Sequence, residues 1–165
     1  MWKLLCAALL VASVAAPAAA MNVSLPDGKP AMSVVLPDSW KPTETERGME
    51  ATSPSGDVYA SVEYAKDYKA DLKALMEANG KWMKDNEIVP NSAESHDRDY
   101  DLNGMPAHEI AYDAHDKDGP TTVMFTLIEL PKDAIGVVTI WASNKQRATQ
   151  TKTINGILNS VKAIR

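Results

Sequence analysis

The apolar positions of this chain recur with two periods, one of two residues and one of three to four. Alternation between apolar and polar residues predicts strands at residues 32–36, 49–52 and 58–64, because successive side chains of a strand point to opposite faces. The third of these segments has an apolar face of Val58, Ala60 and Val62 and a polar face of Tyr59, Ser61 and Glu63. We expect it to form a strand that is buried on its apolar side.

An Asn-Gly dipeptide at positions 103 and 104 predicts a β-hairpin between residues 96–102 and 105–114. A type I′ turn needs a positive φ at both central residues, and Asn-Gly is the pair that supplies it most readily. A two-residue turn also sets the register of the two strands. Asp99 should therefore lie opposite His108.

Two later segments, residues 121–130 and 134–142, are apolar on both faces, which is typical of central strands covered on both sides. The helical period appears at residues 71–86 and 145–162. The resulting order is strands, a helix, four strands and a second helix. This order predicts an α/β (α+β) fold, in which an antiparallel sheet of about six to seven strands is flanked by helices as an α/β/α sandwich.

The first 20 residues have the three parts of a cleavable signal peptide. Lys3 precedes an apolar run at residues 4–16, and three alanines at positions 18–20 supply an A-x-A cleavage site. The run of 13 residues is too short to span a bilayer, which needs about 20. Cys6 precedes most of the run, which argues against a lipoprotein. We expect cleavage near Ala20 and a periplasmic or secreted chain that begins at Met21.

Beyond this leader, we expect an irregular lead-in at residues 21–31, rich in Pro and Gly, and one domain at residues 32–165. The exported chain has no cysteine, so its core must stabilise it without disulfides. It carries 16 basic and 22 acidic residues, a net charge of −6, and no basic patch. This charge argues against nucleic acid and anionic lipid as partners, and no other segment is long enough for stable membrane insertion.

Four stretches of this chain resemble the PsbP/Mog1-like fold and, within it, the DcrB-like envelope proteins. They are residues 32–40 (MSVVLPDSW), 53–61 (SPSGDVYAS), 103–110 (NGMPAHEI) and 138–142 (VTIWA). Together with the final helix, the resemblance spans residues 30–165. It implies largely non-enzymatic functions, as assembly factors, adaptors and chaperone-like binders. The matching residues form turns and strands, so the resemblance transfers no functional residue.

The charge of the exported chain is concentrated at residues 94–118, which carry −6 by themselves and contain all three histidines. Asp99, Asp101, Asn103 and Gly104 match the start of a calcium loop, D-x-D-x-N-G. The bidentate glutamate of such a loop would fall at position 110, which is isoleucine. The alternative is a solvated hairpin that binds no metal. The hairpin register separates the three histidines too widely for a shared zinc site.

We expect a non-catalytic binding or accessory protein that needs no cofactor and contacts a protein partner or small ligand in the cell envelope. The alternative is an envelope enzyme, either hydrolytic or dependent on a metal such as calcium. Trp40 belongs either to the core or to the rim of a binding surface. The residues that could form such a surface are Trp40, Asp97, Asp99, Asp101 and His108.

Overall fold

The structure is a computed structural model that describes residues 19–91 and 95–164, except for the side chains of residues 68–70 and 146. Residues 1–18 of the predicted signal peptide lie outside the described residues. In chain order the elements are β1 (Ala20–Leu25), β2 (Met32–Pro37), β3 (Thr43–Glu44), β4 (Gly48–Thr52), β5 (Val58–Ala65), α1 (Tyr68–Asp85), β6 (Val89–Pro90), β7 (His96–Leu102), β8 (Met105–Asp116), β9 (Gly119–Leu130), β10 (Ala134–Ser143), α2 (Asn144–Ser160) and β11 (Lys162–Ala163).

The larger of two sheets has eight strands, and every pairing between its strands is antiparallel. Its order is β3-β4-β5-β10-β9-β8, and β6 and β7 pair with different parts of β8. The predicted antiparallel sheet flanked by helices is therefore confirmed. The predicted hairpin register is confirmed as well, since Asp99 pairs with His108.

The two faces of this sheet are covered by different layers. Helix α1 packs on one face over a core that includes Leu75, Phe125 and Val137. The opposite face packs against α2 and against a second, three-stranded sheet of order β1-β2-β11. The apolar stripe of α2 is buried there, as its period predicts, and consists of Ile154, Ile157, Leu158 and Val161. No helix among the described residues is long and apolar enough to cross a membrane.

One prediction about the chain start is wrong. Residues 21–31 are not an irregular lead-in throughout, because strand β1 pairs with β2 from Ala20 to Leu25. Val23 and Leu25 alternate with exposed or half-buried residues and lie in the larger core. The prolines and glycine that suggested irregular structure fall after the strand, in the turn that leads to β2.

The polar face of β5 is covered by α1 rather than exposed to solvent. The Asn79 amide of α1 donates to the Glu63 carboxylate (3.4 Å) and accepts from the Thr139 hydroxyl of β10 (3.3 Å). Burial raises the pKa of Glu63 above the ordinary glutamate value, although the amide hydrogen bond and nearby Arg47 lower it. The network supplies partners for polar groups that this layer removes from water.

Replacing Glu63 with Gln should stabilise the protein at neutral pH. Because the folded state holds the proton on Glu63 more tightly than the unfolded chain does, the contribution of protonated Glu63 to the stability of the parent is fully present below the ordinary glutamate pKa. It is lost as the pH rises through the raised pKa. A Gln side chain stays neutral and still accepts from Asn79. In thermal melts the variant should exceed the parent Tm at about pH 7.5 and match it near about pH 4.

The matched control is Glu129→Gln, which neutralises an exposed carboxylate on β9 and should give no pH-dependent difference. A Tm for Glu63→Gln below that of the parent at about pH 7.5 would contradict the prediction. It would mean that attraction to Arg47 outweighs the burial of the charge.

Candidate functional site

Three acidic residues predicted as a partner surface form one exposed row on β7. Asp97, Asp99 and Asp101 alternate along the strand, so they share one face of the sheet. We call them the acidic row. His108 pairs with Asp99 across the hairpin, and its Nδ1 atom lies 2.7 Å from Asp99 Oδ1. In the described part of the chain, β7 pairs with β8 alone and therefore forms a sheet edge.

The arginine of β7 points to the other face of the sheet. Arg98 contacts both carboxylate oxygens of Glu109, at 2.9 Å from Nε and 3.0 Å from Nη2. Its guanidinium also lies 4.9 Å from the centre of the Tyr100 ring. Glu109 is buried, so this pairing supplies the counter-charge that a buried carboxylate needs. Arg98 therefore pairs with Glu109 and does not neutralise the acidic row on the other face of β7.

Trp40 is not part of this surface. It is 4% exposed and lies in the larger core, at the end of a short 3₁₀ helix at Asp38–Trp40. Of the two interpretations of this residue, the core is correct, because the indole is enclosed between the layers. The predicted surface is reduced to the acidic row and His108.

The residues of the calcium-loop alternative have separate hydrogen-bond partners. Asp101 Oδ1 accepts the Gly104 backbone N–H at 2.7 Å, within the hairpin turn. The Asn103 amide instead donates to the carbonyls of Asn159 and Val161, at 3.0 and 2.8 Å, at the end of α2. Ile110, at the position of the bidentate ligand, packs against the core beneath α1. Asn103 therefore joins the hairpin to α2, and Asp101 stays within the hairpin turn.

The three histidines have separate partners. His96 Nε2 lies 3.5 Å from Asp113 Oδ2, and His115 Nδ1 lies 2.9 Å from Asn91 Oδ1, while His108 contacts Asp99. Within residues 19–91 and 95–164, no group of three or more His, Cys, Asp or Glu residues could hold a metal ion.

A pocket that the sequence did not predict lies beside α1, at the end of the helix. It has a volume of about 400 Å³ and is walled by three aromatic residues, which we call the aromatic pocket. Tyr59 of β5 lies opposite Trp141 of β10. Trp82 of α1 stacks on Tyr59, with ring centres 4.7 Å apart and planes at 23°. All three rings are partly exposed.

Acidic and amide groups complete the aromatic pocket. Glu50 Oε2 accepts the Tyr59 hydroxyl at 2.9 Å, and burial together with this hydrogen bond raises the pKa of Tyr59. Asp116, Lys117 and Asp118 approach from the turn between β8 and β9. The sequence pattern assigned each of these aromatic residues to its own strand or helix, and it placed Trp82 on the apolar stripe of the first helix. To predict that Tyr59 and Trp141 lie together, one would have needed to know that β5 pairs with β10.

The chain matches no protein-family model and no curated protein sequence. It is similar in structure to PsbP (CyanoP) from Synechocystis sp. PCC 6803, with a TM-score of 0.59 and 13% sequence identity over 94% of this chain and 99% of the other. It is also similar to LpqN of Mycobacterium tuberculosis, with a TM-score of 0.52 and 17% identity over 88% of this chain and 92% of the other. The predicted PsbP-like fold is confirmed.

Replacing Asn103 with Gly should destabilise the protein equally in the presence and in the absence of calcium. Glycine adopts the positive φ of 56° at this position easily, so the variant keeps the turn and loses the amide. Loss of the two hydrogen bonds to the end of α2 should cost about 1–2 kcal/mol in urea unfolding.

The second variant, Asn103→Asp, separates the two interpretations of this turn. A carboxylate cannot donate to the α2 carbonyls and adds negative charge at the helix C-terminus, so it should also lower stability. If Asn103 were a calcium ligand, the Asp variant would gain stability in millimolar calcium. That gain would contradict the structural role.

Proposed function

We propose that this protein is an exported, non-catalytic accessory protein of the bacterial cell envelope that binds a basic partner protein through the acidic row. The observation that carries the proposal is the arrangement of β7. Three carboxylates lie exposed on one face of an edge strand, while the arginine of that strand is turned to the other face. Such a surface favours a partner of opposite charge and speeds encounter with it.

Export is supported by the leader and by where strand β1 begins. Cleavage after Ala20 would remove one of six residue pairs between β1 and β2 and leave the pairs from Met21 to Leu25. The exported chain therefore keeps the strand that completes the smaller sheet. LpqN, which shares the fold, is described as involved in cell envelope biogenesis, and this description is compatible with an envelope role here.

A binding function is also supported by the exposure of the groups that catalysis would use. In the pair between Asp99 and His108, the side chains are 88% and 43% exposed. The side chains of His96 and Asp113 are similarly exposed. Enzymes enclose reacting groups in a desolvated pocket, where preorganised charges act strongly. Exposed pairs of this kind suit the solvated surface of a binding protein.

The test is affinity capture of the tagged full-length chain from the periplasmic extract of its host, at low and high salt. Changing Asp97, Asp99 and Asp101 together to Asn should abolish the capture of basic proteins that the parent retains at low salt. Capture by the parent should itself weaken above about 0.15 M salt, where charges are screened beyond about 8 Å. The variant should keep the parent Tm, because exposed carboxylates contribute little to stability.

The matched control neutralises three exposed carboxylates near the opposite edge of the sheet, with the changes Asp27→Asn, Glu44→Gln and Glu46→Gln. It should capture the same proteins as the parent. Equal loss of capture in both triple variants would show that net charge, and not the acidic row, selects the partner. Recovery of the uncleaved chain from the cytoplasm alone would contradict export.

A further inference from the structure

We propose that the aromatic pocket is a binding site for an organic cation of the alkylammonium class. The inference goes beyond the proposed function, because the pocket and the acidic row are built from different elements. Helix α1 and strands β4, β5 and β10 form the pocket together with the turn after β8, whereas the acidic row belongs to β7. A volume of about 400 Å³ lies within the range of small-molecule sites.

The aromatic walls supply the first part of the recognition. The face of an aromatic ring carries partial negative charge and attracts a cation placed within about 6 Å of the ring centre, most strongly when the ring is Trp. Trp82 and Trp141 both line the pocket, and Tyr59 stacks on Trp82 and pairs with Trp141 in the register of β5 and β10. The stacking of Trp82 on Tyr59 fixes two of the rings before a ligand arrives, which lowers the entropy cost of binding.

The charges around the pocket supply the second part. Three carboxylates line it, those of Glu50, Asp116 and Asp118, against the ammonium group of Lys117. Lys117 Nζ lies 2.9 Å from Asp118 and neutralises that carboxylate. In the described part of the chain, neither Glu50 nor Asp116 has an ion-pair partner. The pocket therefore keeps two negative charges beside its aromatic walls.

Asp116 adds a second observation at this pocket, because its two carboxylate oxygens lie in different surroundings. One of its oxygens, Oδ1, accepts the backbone N–H groups of Asp118 and Gly119 at 2.8 and 3.1 Å. The other oxygen, Oδ2, is buried and has no hydrogen-bond partner among the described residues. An ionised oxygen that loses water without gaining a partner costs free energy. A cation in the pocket would offset part of this cost through its charge, without direct contact with the buried oxygen.

Other ligand classes fit the pocket less well. Two uncompensated carboxylates repel an anion, and a metal ion prefers a shell of oxygen or nitrogen ligands to indole rings. A neutral sugar can stack on the rings and donate hydroxyl hydrogen bonds to the carboxylates, but it leaves their charge unneutralised. An alkylammonium group uses both features, because its methyl or methylene groups pack on the rings while its charge meets the carboxylates.

The test is an NMR titration of the exported protein with choline, followed at the indole N–H signals. The signals of Trp82 and Trp141 should shift and saturate, while that of Trp40, enclosed in the other core, should stay in place. The neutral isostere 3,3-dimethyl-1-butanol has the same shape without the charge and should bind at least tenfold more weakly. Equal shifts with the two probes, or movement of no indole signal, would overturn the proposal.

Two variants place the binding in the pocket. Glu50→Gln removes one carboxylate and should weaken choline binding severalfold, whereas the matched change Glu129→Gln, outside the pocket, should leave it unchanged. Trp82→Leu should abolish binding. If Glu129→Gln weakens binding as much as Glu50→Gln does, the attraction is a general effect of net charge and the pocket is not the site.

A third comparison separates this inference from the proposed function. The variant with Asn at positions 97, 99 and 101 should bind choline as the parent does, although it loses its partner protein. The alkylammonium group could belong to a free solute or to a lipid headgroup. Saturation by free choline supports a solute. Flotation with phosphatidylcholine vesicles that is lost in Trp82→Leu, together with indole shifts that free choline does not saturate, supports the headgroup.

Discussion

The fold depends on burying strands β9 and β10 on both faces in a domain that has no disulfide. Val137 and Val138, adjacent on β10, are both fully buried, and they face opposite layers. The smaller sheet approaches closely at Gly136, where a Cβ atom would lie 2.7 Å from the sulfur of the Met32 side chain. Both layers are therefore needed, because each keeps one face of the same strands out of water.

The two surface features lie where these covering layers end. The aromatic pocket lies at the end of α1, so the helix that buries one face of the sheet also supplies a pocket wall through Trp82. On the opposite face, the Asn103 amide holds the hairpin to the end of α2. The acidic row is carried by this anchored hairpin rather than by a free loop, so the proposed binding of a partner would cost little conformational entropy there.

Local patterns predicted the strands and helices of this chain well, and the contacts between distant segments poorly. The Asn-Gly turn determines the pairing of Asp99 with His108, because register follows from turn geometry within the hairpin. The aromatic pocket depends instead on β5 pairing with β10 across some 80 residues, and no local pattern specifies that neighbour. Strand β1 was not predicted because the Pro and Gly residues of the following turn dominate the composition of residues 21–31. Asn103 matched a calcium motif by residue type, while its hydrogen bonds to α2 belong to tertiary packing.

Native-state hydrogen exchange measures most directly whether burial of the central strands on both faces holds the fold together. Backbone amides in β9 and β10 should exchange only when the whole domain unfolds, at a free energy equal to the global stability from urea unfolding. Amides in the edge strand β7 should exchange at a lower free energy, through local opening. If the β10 amides exchanged as readily as those of β7, the central strands would not be the structural basis of the fold.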